Sequence, residues 1–144
     1  MIMRNKEQDR PYTQVLQRLR DAGLRPTRQR LALAKLLFEG PSRHVTAEAL
    51  FEETTQANIS LSLATVYNSL HQFTDAGLLR EVVVDSGRTY FDTNVTDHHH
   101  YFMEEEGCLE DIPAGAINID VLPEVPEGKR FSRVDVIIHV SDEG

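Results

Sequence analysis

Three adjacent histidines, His98, His99 and His100, are the residues of this sequence best suited to chemistry. In an extended segment side chains alternate between two faces, so His98 and His100 are expected on one side and His99 on the other. Two imidazoles at this spacing can bind one ion, at about 2.0–2.1 Å each. Carboxylates follow closely in the sequence, and a mixed imidazole and carboxylate set suits Zn²⁺, Fe²⁺ or Mn²⁺. The run therefore predicts a divalent metal site that needs further ligands from elsewhere in the chain.

Two other interpretations of the histidine run stay open on the residues alone. Imidazole also binds haem iron axially, so the same three histidines are a candidate haem site. A polar, solvated turn without a ligand is the third interpretation. Enzymatic motifs are missing: the sequence has no His-Glu-x-x-His, no glycine-rich phosphate loop after a strand and no nucleophile-elbow serine. We therefore expect a binding protein and not an enzyme.

The charge of the chain is unevenly distributed along the sequence. The net charge is −8. Residues 1–80 hold 11 Lys/Arg and 8 Asp/Glu, whereas residues 81–144 hold 4 Lys/Arg and 15 Asp/Glu. Seven basic residues fall between positions 10 and 35: Arg10, Arg18, Arg20, Arg25, Arg28, Arg30 and Lys35. This distribution predicts that the first half binds a polyanion and that the second half is better suited to cations.

The composition also sets expectations for the compartment. The single cysteine, Cys108, excludes an intramolecular disulfide, and no apolar run approaches the roughly 18 residues of a membrane span. The N-terminal residues lack the apolar core of a signal peptide. A cytoplasmic protein without a membrane partner is therefore expected.

Four amphipathic segments in the first half predict short helices, at residues 12–23, 26–40, 45–57 and 62–77. Thr46 and Ser62 are suited to cap the last two. Two β-rich runs then flank Asp85-Ser86-Gly87, which predicts a hairpin. This order is typical of a winged helix-turn-helix, in which the last helix enters the major groove of DNA.

The second half has a different character. Strands are predicted at residues 98–105 and 133–140, with a shorter one at 108–112, while residues 113–131 contain three prolines and give no helix prediction. The composition changes near residues 92–96. We therefore predict an α+β protein with two domains, 1–92 and 93–144.

Basic residues near a helix start can hold phosphates while the last helix contacts base edges. Tyr67 on that helix is suited to touch a thymine methyl or a phosphate. The residues predicted to contact DNA are Arg25, Arg28, Arg30, Thr65, Tyr67 and Asn68. The alternative is that the basic residues form only a solvated face.

The blocks "AGLRPTRQRLALAKLL", "HVTAEALF", "SLATVYNSLHQFTDAGLL", "RTYFD" and "HHH", at these intervals, resemble the ferric uptake regulator (Fur) superfamily. The resemblance covers residues 12–111 and, more loosely, the chain to residue 140. It implies a homodimeric, metal-responsive transcriptional regulator that binds double-stranded operator DNA. It also implies an N-terminal winged helix followed by a small α/β dimerisation domain.

The resemblance implies a regulatory metal site as well. The family takes a histidine from the first half, an acid after the wing, a His-x-His pair and a later acid. These fall here on His44, Asp92, His98, His100 and Asp111. Because His44 lies in the DNA-binding half, a metal held by this set would bridge the domains and set the spacing of the two winged helices in a dimer.

Two departures from the family pattern narrow the expectation. The Cys-x-x-Cys pair that usually binds structural zinc is missing, and Asn68 stands where many relatives have arginine. Loss of the cysteines beside an intact triple histidine resembles the iron response regulator (Irr) branch. This branch implies repression of haem-synthesis and iron-using genes when iron is scarce, ended by haem binding at His98, His99 and His100.

Two alternative functions accompany this expectation. One is a zinc- or manganese-responsive repressor of the same superfamily in which haem has no role. The other is a metal-binding module that does not bind DNA, for which the positive charge of the first half would be incidental.

Overall fold

A computed structural model describes residues 12–144 of the chain, which form two compact units. The first unit ends at Val95, and the second spans Thr96–Gly144. The domain ranges 1–92 and 93–144 remain predictions. Arg10, one of the seven basic residues noted above, lies outside the described residues.

Helices form most of the described part of the first unit. They are α1 (Thr13–Asp21), α2 (Arg28–Phe38), α3 (Ala47–Gln56) and α4 (Leu63–Asp75). The side-chain oxygens of Thr27, Thr46 and Ser62 each accept a hydrogen bond, at 3.1 Å, from the backbone N–H three residues further on. Such caps satisfy donors that the start of a helix leaves without an internal partner. The predicted helices and the caps at Thr46 and Ser62 are confirmed.

A three-stranded sheet completes the first unit. Its strands are β1 (His44–Val45), β2 (Arg80–Asp85) and β3 (Arg88–Asp92), in the order β1-β3-β2 with antiparallel pairing. The turn between β2 and β3 is closed by Gly87, whose N–H donates to Asp85 Oδ1 at 3.0 Å. The predicted hairpin is therefore confirmed and forms the wing. The two-residue strand β1, which lies between α2 and α3, was not predicted.

The core of the first unit gathers hydrophobic side chains from each of the four described helices and from the wing. They are Val15, Leu19, Leu33, Ala34, Leu37, Val45, Ala47, Leu50, Val66, Leu70, Phe73, Leu79 and Phe91. From the predicted apolar face of α4, Val66, Leu70 and Phe73 are fully buried and Leu63 is half-buried. Packing of α4 on this core fixes which of its side chains face outward.

The second unit is built on another three-stranded sheet. β4 (His100–Met103) is central, with β5 (Cys108–Asp111) antiparallel on one side and β6 (Ile137–Val140) parallel on the other. The buried hydrophobic side chains of residues 96–144 are Phe102, Leu109 and Ile112.

The α+β fold class with an N-terminal winged helix is confirmed. The helical part of the α/β composition predicted for the second domain is not found, because residues 96–144 contain strands and irregular segments but no helix. Pro113, Pro123 and Pro126 interrupt the segment between β5 and β6, and each removes a backbone donor and disfavours helix at the residue before it. Among the described residues, no helix is both long and apolar enough to cross a membrane.

Candidate metal and nucleic-acid sites

In the first unit, the antiparallel register of β1 and β3 places His44 directly opposite Asp92. Their side chains meet, with His44 Nε2 and Asp92 Oδ2 3.1 Å apart. The Asp92 side chain is only 1% exposed, and its Oδ1 accepts the N–H of Asn94 at 2.9 Å. A buried carboxylate is costly unless its charge is compensated. Arg80 stands opposite Asp92 on the other flanking strand and is also buried, so the register brings two nitrogen-bearing side chains beside this carboxylate.

The segment before His44 is held by Arg43. Its guanidinium donates to both carboxylate oxygens of Glu53 on α3, at 2.9 and 2.5 Å, and to the carbonyl of Leu36 at 3.3 Å. The hydrogen bond to Glu53 is the main cause that raises the pKa of Arg43, and partial burial opposes it. The backbone of Arg43 also bonds Thr93, one residue beyond Asp92. These bonds fix both strands that carry the His44–Asp92 pair.

In the second unit, His98 and His100 converge on one carboxylate oxygen. Asp111 Oδ1 lies 3.1 Å from His98 Nε2 and 3.5 Å from His100 Nε2. The register of β4 and β5 places His100 opposite Asp111, and the two imidazole rings are 4.5 Å apart between centroids. His99 points elsewhere, since its Nδ1 accepts the N–H of Val136. The predicted alternation of the three histidines is confirmed.

The hydrogen bonds of His98 match those of a metal ligand. Its Nδ1 lies 2.5 Å from the carbonyl oxygen of Thr96, which can only accept, so Nδ1 carries the proton. In the neutral ring Nε2 then presents a lone pair towards Asp111 Oδ1. Two acceptors face each other across 3.1 Å unless His98 is protonated or a cation lies between them. An Nδ1–H bonded to a backbone carbonyl is the arrangement that orients imidazole for metal binding. The residues therefore fit a divalent cation.

The same region fits haem poorly. In the neutral ring, accepting from Val136 requires His99 to carry its proton on Nε2, the nitrogen that would have to bind iron. His100 is buried, with 2% of its side chain exposed. The groove beside His98 and His99 has a volume of about 200 Å³, below the roughly 300–1,000 Å³ of pockets for drug-sized ligands. Haem binding at these histidines would require the hydrogen bond between His99 and Val136 to break, or the groove to widen and expose His100.

The residues predicted to contact DNA lie in different environments within the first unit. Arg25, before α2, and Arg28, at its start, are exposed. Arg30 is half-buried and engaged: its guanidinium donates to the carbonyl of Arg25 and to Oε1 of Gln72 on α4, both at 2.9 Å. Arg30 therefore links α2 to the outer face of α4.

On α4, Asn68 is exposed and Thr65 is half-buried within the N-terminal cap, where Ser62 bonds both its N–H and its hydroxyl. Tyr67 is half-buried and packs against the core, and its hydroxyl donates to Glu48 Oε1 on α3 at 2.5 Å. This bond is the main cause that lowers the pKa of Glu48 and raises that of Tyr67.

Sequence reasoning missed Glu48 and Gln72 as partners of predicted DNA contacts. Glu48 is 19 residues from Tyr67, and Gln72 is 42 residues from Arg30. No spacing rule links residues on different helices, so only the packing of the helices reveals these pairs.

A winged helix-turn-helix followed by a small sheet, with an imidazole and carboxylate set in each unit, defines a DNA-binding type of fold that carries candidate metal ligands. The chain belongs to the ferric uptake regulator family, whose model matches residues 21–139.

Individual relatives agree with this membership. The ferric uptake regulation protein of Vibrio cholerae is 37% identical over 94 residues, covering 65% of this chain and 60% of the relative. The peroxide-responsive repressor PerR of Staphylococcus aureus is 32% identical over 100 residues, covering 69% of this chain and 67% of the relative. The matched part of the chain thus spans about 60% of the length of the Vibrio cholerae relative.

Solved structures share the fold. The ferric uptake regulator of Vibrio cholerae superposes with a TM-score of 0.71 at 23% identity, over 89% of this chain and 99% of that one. The regulator of Pseudomonas aeruginosa, solved with manganese, gives a TM-score of 0.67 at 24% identity, over 89% and 97%. At these identities the likeness establishes the fold alone.

Proposed function

We propose that the protein is a dimeric, metal-responsive transcriptional regulator that binds operator DNA through its winged helix. Family membership supports the class, and the ligand sets of the two units support the metal response. The observation that carries the proposal is the pair formed by His98 and Asp111. There, a backbone carbonyl holds Nδ1 of His98 while Nε2 lies 3.1 Å from a carboxylate oxygen of Asp111, a geometry in which both atoms can bind one cation.

We propose further that His44, Asp92, His98, His100 and Asp111 hold a single divalent ion. Neither set is complete by itself, since His44 and Asp92 supply two ligands, and His98, His100 and Asp111 supply three. A structural zinc site takes four ligands from the protein, whereas a set of three needs water to complete the coordination. An ion bound by both sets would fix the second unit against the winged helix, and thereby the spacing of two winged helices in a dimer. When bound, the ion supplies only charge and coordination.

The identity of the metal follows in part from the donor set. Imidazole and carboxylate without thiolate suit Fe²⁺, Mn²⁺ and Zn²⁺. The similar regulator of Pseudomonas aeruginosa was solved with manganese, and a manganese uptake regulator was solved with zinc. Mn²⁺ and Zn²⁺ are therefore suitable probes for the site in this chain, and Mn²⁺ is the one named in the experiments below.

Dimerisation through the second unit is supported by its exposed apolar residues. They are Ile119, Val121, Leu122, Phe131 and Ile138. Strand β6, which carries Ile138, lies at the edge of its sheet and so leaves one row of backbone groups outside the sheet. A second copy of this chain would cover such a surface.

The test of the shared site is the number of ions bound per chain. Calorimetric titration of the full chain with Mn²⁺ should give one ion at this site. Either His44→Ala or His98→Ala should abolish that binding, because each removes a ligand of the same ion. If His44→Ala leaves a site that His98→Ala removes, the two units bind separately and the shared site is wrong.

Matched controls are available in both units. His71 on α4 and His139 on β6 are exposed histidines outside the ligand sets. His71→Ala and His139→Ala should leave the stoichiometry and affinity for Mn²⁺ unchanged. Loss of Mn²⁺ binding in either control would show that the effect is not specific to the proposed ligand histidines.

DNA binding is tested by its dependence on salt. A protein that neutralises phosphates loses affinity linearly in log K against log salt concentration. We expect such a slope for the full chain on duplex DNA, reduced by about one in Arg28→Ala, since one phosphate contact is lost. Lack of measurable DNA binding with and without Mn²⁺ would favour the metal-binding module instead.

A haem-released regulator of the iron response type is a second candidate. The missing Cys-x-x-Cys pair and the intact triple histidine support it. The hydrogen bond of His99 and the burial of His100 oppose it. Haem titration in a gel-shift assay separates the two: the iron response type predicts loss of DNA binding that His98→Ala/His99→Ala/His100→Ala prevents. Unchanged affinity at saturating haem leaves the metal-responsive function.

A further inference from the structure

The hydroxyl of Tyr67 is held by a residue of the neighbouring helix. It donates to Glu48 Oε1 at 2.5 Å, which joins the middle of α4 to the first turn of α3. Glu48 is exposed, while Tyr67 is half-buried with its ring against the core. The contact therefore lies at the surface of the helix-turn-helix, where the outward side of α4 begins.

The ring of Tyr67 is also held along its own helix. His71, one turn further on, is nearly parallel to it, at 19° with centroids 6.4 Å apart. His71 in turn meets the edge of Phe91 on the wing at 5.6 Å, and Phe91 is buried. A cleft of about 370 Å³, lined by Glu48, Tyr67 and His71 among others, opens between α4 and the wing. Two helices and the wing thus fix the position of one tyrosine.

The direction of the hydrogen bond restricts what Tyr67 can do. A phenolic hydroxyl has one proton, and an ionised carboxylate can only accept. While Glu48 takes that proton, the oxygen of Tyr67 can accept a hydrogen bond but cannot donate one. Phosphate oxygens and the N7 and O6 atoms of guanine require a donor, whereas the amino groups of adenine and cytosine supply one. The ring itself remains able to contact a thymine methyl.

We propose that Glu48 is a specificity-determining residue, which acts by taking the proton of Tyr67. It confines this tyrosine to thymine methyls and to the amino groups of adenine or cytosine, and it excludes phosphate and guanine. The negative charge of Glu48 acts in the same direction, because a carboxylate beside α4 disfavours phosphate. The inference rests on the proposed DNA binding, and it adds to that function a residue that decides base preference without needing to touch a base.

The experiment selects preferred sites from a randomised duplex library, with and without Mn²⁺. It then measures affinities for the selected site and for single-base replacements. The proteins are the full wild-type chain, Glu48→Ala, Tyr67→Phe and the double variant. Glu52→Ala is the matched control, since Glu52 is an exposed acid on the same helix. Both alanine variants remove one negative charge from α3, so both should bind duplex DNA more tightly in general.

Only Glu48→Ala should change base preference. Its free hydroxyl can donate, so the penalty for guanine at the position nearest Tyr67 should fall by roughly tenfold. Glu52→Ala should keep the wild-type penalty. In the Tyr67→Phe background, Glu48→Ala should have no further effect on preference, because the hydroxyl through which Glu48 acts is gone.

The outcomes distinguish a failure of the role proposed for Glu48 from a failure of the proposed DNA binding. A base preference in Glu48→Ala equal to that of wild type, or a change that persists in the Tyr67→Phe background, would overturn the role of Glu48. If the wild-type chain selects no sequence, the proposed DNA-binding function fails, and this inference fails with it. A purely structural role would lower the unfolding temperature of Glu48→Ala without altering its preferred bases, and that result also counts against the proposal.

Discussion

The first unit buries hydrophobic side chains from all four of its described helices and from the wing, whereas residues 96–144 bury Phe102, Leu109 and Ile112. The second unit also exposes large apolar side chains, such as Val121 at 85%. A chain of that length is near the lower limit at which a hydrophobic core alone stabilises a fold. From this contrast we expect the first unit to be stable by itself and the second to need another surface.

Charge separates the two units as well. Residues 1–95 hold 12 Lys/Arg and 11 Asp/Glu, while residues 96–144 hold 3 Lys/Arg and 12 Asp/Glu. An excess of one sign opposes compaction through repulsion among like charges. A cation bound at Asp111 would relieve part of that repulsion, so metal binding and the stability of the second unit are expected to rise together.

Dividing the chain into two fragments, one for each unit, should have the largest effect on folding. We expect a fragment of residues 1–95 to unfold cooperatively with heating, because its core is contained within it. A fragment of residues 96–144 should show no cooperative transition at low concentration without metal. Circular dichroism and calorimetry measure both. A cooperatively folded, monomeric 96–144 fragment would remove the distinction between the units.

One buried phenylalanine in each unit sharpens the comparison within the full chain. Removing a buried phenylalanine side chain costs about 3–5 kcal/mol. Phe73→Ala should therefore lower the free energy of unfolding of the first unit by that amount while leaving it folded or nearly so. Phe102→Ala should unfold the second unit, which has little stability to lose.

The measurements for the two phenylalanines are different. Helical circular dichroism reports the first unit, and sedimentation together with Mn²⁺ binding reports the second. Phe102→Ala should retain the helical spectrum but lose dimer and metal. Equal loss of helical signal in both variants would show that the units unfold as one.

Substitutions in the turn of the wing should have the smallest effect on stability. The pKa of Asp85 is held below its ordinary value of 3.8, mainly by a hydrogen bond from Arg88 and next by one from the N–H of Gly87. Because the folded value is depressed, the stabilisation is present above pH 3.8 and is lost as the pH falls through the folded pKa. Asp85→Asn should lower the midpoint temperature of the first unit slightly at pH 7. Below the folded pKa of Asp85, the substitution should leave the midpoint temperature unchanged. Arg88→Ala should show the same pH dependence. If the difference in midpoint temperature between either variant and wild type grew towards low pH, the hydrogen bond to Asp85 would not be its cause.

Much of the first unit could be predicted because its determinants are close together in sequence. Thr46 and Ser62 cap helices through bonds to residues three positions away, and Asp85-Ser86-Gly87 encodes its own turn. In the second unit, the alternation of the three histidines was likewise predicted from the local geometry of an extended segment. Local rules suffice where a side chain and its partner lie within a few residues.

The features that escaped prediction depend on distant partners. Strand β1 has two residues and exists only because β3 pairs with it. The bond from Tyr67 to Glu48 joins two helices whose packing angle is not written in either segment. The tautomer of His98 is set by the carbonyl of Thr96, and the sequence shows neither the carbonyl direction nor the approach of Asp111. Five ligand positions were proposed from resemblance, but their hydrogen-bond and ion-pair partners needed coordinates.

The parallel pairing of β6 with β4 has a consequence for how the chain is made. Val136 bonds His99, and β4 pairs with β6 (Ile137–Val140), whereas all described helices and strands of the first unit end by Asp92. On the ribosome, the helix-turn-helix and wing are complete once residue 95 has emerged, but the second sheet must wait for residues 137–140. At about 5–20 residues per second, that interval lasts a few seconds. We therefore expect each newly made chain to pass through a stage in which its winged helix is folded and the sheet that carries His100 is not.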